Sequence, residues 1–204
     1  QNFLIMKKTI LLFTSIVLLA TACKKKTDEP TPEDTAAPAV DQYASQKQQA
    51  KETYANIAFA SYDDSYQGVL ALKTAIYTFV ATPTQANFDA AKTAWLNVRE
   101  SYGQTEVFRF AEGPIDNAAD GPEGYINAWP MDEAFVDYVV GDANAGIINN
   151  PTAFPTIDAA TLIGENENGG EANISLGFHA IEFLLWGQDL SASGPGARPY
   201  TDYL

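Results

Sequence analysis

The sequence is poor in the residues that build disulfides and most metal centres. Its 204 residues include one cysteine, Cys23, and one histidine, His179. A single cysteine excludes an internal disulfide, and a single histidine excludes any site that needs two imidazoles from this chain. Basic residues are also scarce, because 12 Lys and Arg stand against 26 Asp and Glu, for a net charge of −14. Such a surface repels phosphate backbones, so we predict no nucleic-acid partner.

The N-terminus has the pattern of an export signal. A short basic start (residues 6–8) precedes an apolar run (residues 9–20) that is too short to span a bilayer comfortably. Small residues then lead into Cys23, as in the lipobox of bacterial lipoproteins. We therefore predict that residues 1–22 are a signal peptide, with residues 1–5 upstream of the true start, and that Cys23 is lipidated. The alternative is an ordinary secretory signal that is cleaved just before the cysteine.

A polar segment follows the cysteine. Residues 24–39 contain prolines, threonines and mixed charges but no large apolar side chain, so they cannot bury enough surface to fold. We predict that residues 23–41 comprise the lipidated cysteine and a disordered tether to the membrane. The residue after the cysteine is Lys24 rather than Asp, which by lipoprotein sorting rules favours the outer over the inner membrane.

Two helices with apolar periodicity follow the tether. Residues 42–81 contain no proline and one glycine, and apolar side chains recur at spacings of three and four. The predicted apolar face of this first helix is Tyr54, Ile57, Ala58, Tyr62, Tyr66, Val69, Leu70, Ile76, Tyr77 and Val80. Thr82 then has the sequence context of an N-cap, with Pro83 at the first helical position and Gln85 three residues on. The second predicted helix carries Phe88, Ala91, Trp95, Val98 and Tyr102 on one face, with Phe108 as a further candidate. Two long antiparallel helices, without strand-like alternation, predict an all-α helical bundle.

Beyond a glycine- and proline-rich stretch (residues 111–130), the pattern predicts short helices at residues 131–140 and 156–163 and a longer one at residues 172–186. The last is apolar all round, which is typical of a buried helix. His179 and Glu182 lie on one face of it, one turn apart. A buried carboxylate needs a partner. That partner is either structural (the imidazole itself, or an arginine such as Arg99 or Arg109) or a metal ion.

The segment GFHAIE at residues 177–182 resembles the GxHxxE motif of the imelysin family. Residues 95–110 resemble the family's second helix, and residues 112–133 resemble its long inter-helix loop. The resemblance implies an all-α fold of two related bundles, with the motif near the groove between them. Residues 42–204 then correspond to the N-terminal part of an imelysin-like helical domain, and we expect that the sequence is truncated before the second bundle.

The resemblance also implies a metal site. Relatives in EfeO-type iron-uptake systems are thought to hold metal with histidine and acidic residues. Carried over by position, the ligands here are His179, Glu182, Glu106 and Asp116. One imidazole with hard oxygen donors suits a divalent or ferric ion, and iron, zinc and copper stay open. The sequence departs from the iron-uptake pattern at Gly103, where those relatives present a second acid.

Three functions follow as alternatives. The first is an outer-envelope lipoprotein that binds a metal ion or metal complex in iron acquisition, anchored to the membrane by its lipid and working with iron-transport components. The second is a metal-dependent peptidase of the imelysin type, which the sequence disfavours because zinc peptidase motifs such as HExxH need a second histidine. The third is a peptide- or glycan-binding module in which His179 and Glu182 have a structural role.

Overall fold

Two long helices form the centre of the fold. The computed structural model describes residues 41–204, so the predicted signal peptide, Cys23 and nearly all of the tether lie outside the described residues. Helix α1 spans Ala44–Ala81 and helix α2 spans Gln85–Gln104. The two pack along their length as an antiparallel hairpin, with Phe79 against Phe88 near the turn (ring centroids 4.8 Å apart). The end of α2 continues into a 3₁₀ turn, Thr105–Phe108.

The turn between these helices differs from the sequence prediction. Thr84, not Thr82, is the N-cap of α2, since its hydroxyl accepts a hydrogen bond from the Asn87 backbone N–H at 3.2 Å. Thr82 instead ends α1, and its carbonyl accepts from the Asn87 side chain at 2.8 Å. Pro83 therefore lies in the link between the helices rather than at the first helical position.

The buried faces of the two helices were not equally predictable. The predicted face of α2 is confirmed for its five members in the helix, all of which are buried, whereas Phe108 lies in the 3₁₀ turn that follows. The predicted face of α1 is wrong for most of its members, because the helix buries Ser65, Leu72 and Phe79 instead. Gly68 lies on the side that meets α2, where a Cβ atom would come within 2.8 Å of Val98 Cγ2. This glycine lets the two helices approach closely.

Within residues 41–204, four shorter helices complete the fold: α3 (Glu123–Ile126), α4 (Glu133–Val136), α5 (Ala159–Glu165) and α6 (Gly177–Trp186). The prediction for residues 131–140 contains α4 but is too long. The prediction for residues 156–163 starts early, because Asp158 is the N-cap and accepts from the Thr161 backbone N–H at 2.8 Å. The helix also continues past residue 163, because Gly164 lies inside α5. A last 3₁₀ turn spans Tyr200–Tyr203.

The hydrophobic core joins α1, α2 and α6. Its buried members are Leu72, Phe79, Phe88, Ala91, Trp95, Val98, Tyr102, Phe178 and Leu185. The described residues contain no β-strand beyond one isolated bridge between Val139 and Asp142, so the all-α fold class is confirmed. In the same part of the chain, no helix combines the length and the apolar character that crossing a bilayer requires.

A buried ion pair fixes the C-terminal segment. The Arg198 side chain is 2% exposed, and its Nη1 donates to Asp137 Oδ2 at 2.7 Å. Tyr203 donates its hydroxyl hydrogen to the carbonyl of Leu184 in α6. These contacts bring the segment after α6 against both α4 and α6. Sequence reasoning missed this pair, because its two members are 61 residues apart.

Candidate metal site

Helix α6 begins where helix α3 comes closest to it. Gly177 has a φ of +88°, and a Cβ atom there would lie 2.6 Å from the Ile126 carbonyl oxygen. Both facts require glycine, because other residues avoid positive φ and any side chain would meet the backbone. The predicted helical start at residue 172 is therefore wrong, and residues 172–176 precede the helix. The first position of the GxHxxE-like segment thus has a structural reason.

The residue before the histidine ties α6 to α2. The carbonyl of Phe178 accepts a hydrogen bond from Trp95 Nε1 at 3.0 Å, in a buried position. The Phe178 ring packs against Tyr102, with centroids 5.0 Å apart, and the Arg99 guanidinium lies 5.0 Å from the Phe178 ring centroid. These contacts fix where the next residue, His179, emerges from the helix.

His179 and Glu182 form a hydrogen-bonded pair. The imidazole Nδ1 lies 3.0 Å from Glu182 Oε2. This is the one hydrogen bond that the imidazole makes within residues 41–204. The indole ring of Trp129 packs on the imidazole with centroids 4.7 Å apart, although Trp129 itself is 69% exposed. With Nδ1 engaged, Nε2 is the ring nitrogen left for a ligand.

The Glu182 carboxylate is more exposed than the sequence predicts. Its side chain is 42% exposed and that of His179 is 16% exposed, so the prediction of a buried carboxylate is wrong. The free-energy cost of desolvating the Glu182 carboxylate is therefore smaller than it would be in a fully buried helix. The structural alternative also finds support, because the imidazole is the partner of the carboxylate. Arg99 pairs with Asn127 and Arg109 with Glu123, so neither arginine is the partner of Glu182.

The other two predicted ligands lie in a different place. Glu106 and Asp116 line a surface cleft of about 700 Å³, beside Arg109 and Glu123. Glu106 is 63% exposed and its carboxylate lies 3.8 Å from Arg109 Nη2. His179 does not line this cleft. The four predicted ligands are therefore not gathered around one point.

Asp116 already has a structural role in its loop. Its carboxylate accepts hydrogen bonds from three backbone N–H groups, those of Phe110, Ala111 (3.2 Å) and Gly113 (2.9 Å). Phe110 has a φ of +65°, a conformation that these bonds help to hold. These three N–H donors satisfy most of the acceptor capacity of the Asp116 carboxylate without a cation.

The donor count of the site is low. No three His, Cys, Asp or Glu side chains in the described part of the chain lie close enough together to hold a metal ion. His179 and Glu182 thus stand on their own, and because the carboxylate bonds to Nδ1, Nε2 is the metal donor that the pair presents. A structural zinc site takes four donors and calcium takes six to eight, so the pair alone does not complete the shell of such an ion.

Tyr102 is the most perturbed neighbour of this region. Burial, followed by the nearby Glu123 carboxylate, raises the pKa of Tyr102 to about 12. Its hydroxyl is buried and has no hydrogen-bond partner among residues 41–204. The phenol therefore stays protonated near neutral pH. Sequence reasoning treated Tyr102 as a core residue and missed this orphan donor, as it also missed the packing of Trp129 on the imidazole.

These features define a class of protein: an all-α bundle in which a glycine-initiated helix presents a histidine–glutamate pair. The family model described as Imelysin matches residues 58–204, and the chain belongs to the imelysin family. It is similar to the iron-regulated protein A of Synechococcus elongatus, with 37% identity over 130 residues. That alignment covers 64% of this chain and 29% of the relative, so the chain spans about three tenths of the length of the curated relative that it matches.

Proposed function

We propose that this protein is an envelope lipoprotein that binds a metal ion or metal complex in iron acquisition, with His179 as the central ligand. The observation that carries the proposal is the hydrogen bond between Nδ1 and Glu182 Oε2, at 3.0 Å. In metal sites, a ligand histidine commonly donates its second ring N–H to a carboxylate. That bond fixes the tautomer, leaves the lone pair of Nε2 for a ligand and makes Nε2 a better donor.

The exposure of the pair agrees with a ligand that binds from solvent. Glu182 is 42% exposed, so its carboxylate orients the imidazole at the protein surface. The Trp129 indole contacts the same imidazole, with ring centroids 4.7 Å apart. The pair therefore offers one imidazole nitrogen, Nε2, which suits iron, zinc and copper.

The low number of donors indicates whether the site binds a free metal ion or a metal complex. Because the described residues group no further donor with the pair, an ion must bring ligands of its own or take them from another part of the protein. A chelated metal needs few protein donors. We therefore favour a metal complex, or an ion shared with further protein groups, over an ion enclosed by the described residues. Glu106 and Asp116 remain predicted ligands that such an arrangement does not require.

The proposed link to iron rests on family membership and sequence similarity. The chain belongs to the imelysin family, and a relative at 37% identity carries the name iron-regulated protein A. An acidic chain with a predicted lipobox at Cys23 fits a cation-binding protein that is tethered at the cell envelope. We favour the outer membrane over the inner membrane as the place of the anchor. Iron-transport components of the envelope are the partners we expect.

The peptidase alternative requires more from this site than it offers. A catalytic zinc takes about three protein ligands, an open position and a general base. With one histidine in the chain, Glu182 would have to act as a ligand or orient His179 and also serve as the base. Degradation of an unfolded substrate that stops on adding a chelator would establish the enzyme.

Calorimetric titration tests the proposal. Ferric citrate, Zn²⁺ and Cu²⁺ are titrated into the full chain and into the His179→Ala and Glu182→Gln variants. We expect His179→Ala to abolish the binding heat and Glu182→Gln to weaken binding by about 10- to 100-fold, the usual effect of losing a carboxylate that orients a ligand. The matched control is Glu171→Gln, an exposed acid outside the site, which should bind as the parent does. Equal heats for the parent and His179→Ala would reject the site.

A further inference from the structure

Among the described residues, the aromatic contact of Trp129 is with His179. The indole and imidazole centroids lie 4.7 Å apart, and the two ring planes are tilted by 55°. Trp129 is 69% exposed and is not part of the hydrophobic core, so its side chain contributes little to the fold. Its contact with the imidazole is the same whatever covers the outer face of the indole.

The hydrogen bond between His179 and Glu182 is too weak to hold the imidazole alone. Its two members are three residues apart on one helix, and the Glu182 side chain is 42% exposed. Water competes for both groups of such a pair, so the pair constrains the ring only loosely. The His179 side chain is nevertheless only 16% exposed. Packing by the indole therefore adds a constraint that the hydrogen bond lacks.

The segment that carries Trp129 is fixed on both sides of this residue. Before it, two backbone carbonyls of α3 lie against the first residue of α6. Arg99 of α2 donates a hydrogen bond to the Asn127 side chain. After it, the Asp132 backbone N–H donates to the carbonyl of Ala172 at 2.7 Å. The backbone anchored at these points brings the indole to the imidazole.

We propose that Trp129 is a positioning residue for the metal ligand: its indole limits the motion of the His179 ring, so that Nε2 meets a metal in one arrangement. The inference rests on the proposed metal-binding function, because it assigns a role at the same site. Glu182 holds the ring at Nδ1, and Trp129 packs on the ring from the segment after α3. A ligand that is already ordered loses less conformational entropy on binding, so it binds more tightly.

NMR relaxation of the imidazole C–H groups tests the proposal without any metal. With one histidine in the chain, the imidazole signals belong to His179 alone. The full chain is compared with Trp129→Ala and with Trp129→Phe, which keeps an aromatic ring. We expect an order parameter of about 0.8 for the imidazole in the parent and in Trp129→Phe, and a value below about 0.6 in Trp129→Ala. The matched control is Tyr125→Ala, which removes a half-exposed ring four residues earlier and should match the parent.

Calorimetric titration of the same proteins with Zn²⁺ and with ferric citrate measures the consequence for binding. We expect Trp129→Ala to bind about 3- to 10-fold more weakly than the parent, because the aromatic contact that orders the ligand is lost. Trp129→Phe and Tyr125→Ala should bind as the parent does.

A rigid imidazole in Trp129→Ala overturns the proposal, and so does a mobile imidazole that binds metal with the parent's affinity. Equal effects of Tyr125→Ala and Trp129→Ala also overturn it, because the effect then belongs to the segment rather than to the indole. A parent that binds neither probe overturns the proposed metal-binding function instead. The relaxation comparison still accepts or rejects the ordering of the imidazole by Trp129 in that case.

Discussion

Replacing Gly177 by alanine tests how the GxHxxE-like helix is positioned. Gly177 has a φ of +88°, and an alanine held in the left-handed region costs about 1–2 kcal/mol. The new Cβ would also lie 2.6 Å from the Ile126 carbonyl oxygen and 2.8 Å from that of Tyr125. Because both neighbours are backbone atoms of α3, either α3 or α6 must shift, at about 1–3 kcal/mol. We expect a total loss of about 2–5 kcal/mol in the free energy of unfolding.

The assay is urea unfolding followed by tryptophan fluorescence, with Gly103→Ala as the control. Gly103 lies in α2, where a Cβ atom would meet no other atom within 4 Å, and the alanine should gain up to about 1 kcal/mol as the better helix former. If Gly177→Ala loses less than about 1 kcal/mol, the close approach of α6 to α3 is not a constraint on this residue, and the structural reason given for the motif glycine is wrong.

Three further substitutions test the fold, each followed by the same urea unfolding. Thr84→Ala should cost about 1 kcal/mol as the loss of the α2 N-cap, whereas Thr82→Ala should cost clearly less; equal losses would contradict the cap assignment. Trp95→Phe should cost about 1–3 kcal/mol, because the buried Phe178 carbonyl loses its donor, and no loss would show that water replaces the indole. Arg198→Met should cost about 3–5 kcal/mol by leaving Asp137 buried without its cation, and a neutral result would show that Asp137 becomes protonated or hydrated instead.

The sequence was most informative where one periodicity had one explanation. In α2 the apolar side chains occupy a single face, so spacing alone identified the buried residues. In α1, apolar residues occur on two faces, and the spacing of apolar residues does not show which of the two faces packs against the rest of the fold. The buried face includes Ser65, a small polar residue whose hydroxyl bonds to the Ser61 carbonyl at 2.9 Å. Pattern reasoning discards such a residue.

The candidate site was predictable only in its local part. His179 and Glu182 are one helical turn apart, so their pairing follows from helix geometry. Whether Glu106 or Asp116 joins them depends on how a long loop folds, which local spacing does not determine. The hydrogen bonds of Asp116 to its own loop show how an acid carried over by position can have a structural use.

X-ray absorption on the metal-loaded chain tests the central claim most directly. For zinc or iron bound to the parent protein, we predict a nitrogen neighbour at about 2.0–2.1 Å with the scattering pattern of an imidazole, and its loss in His179→Ala. Spectra that are the same for both proteins, or that show oxygen neighbours alone in the parent, would contradict a metal-binding role for the histidine and leave its bond to Glu182 as a structural feature of α6.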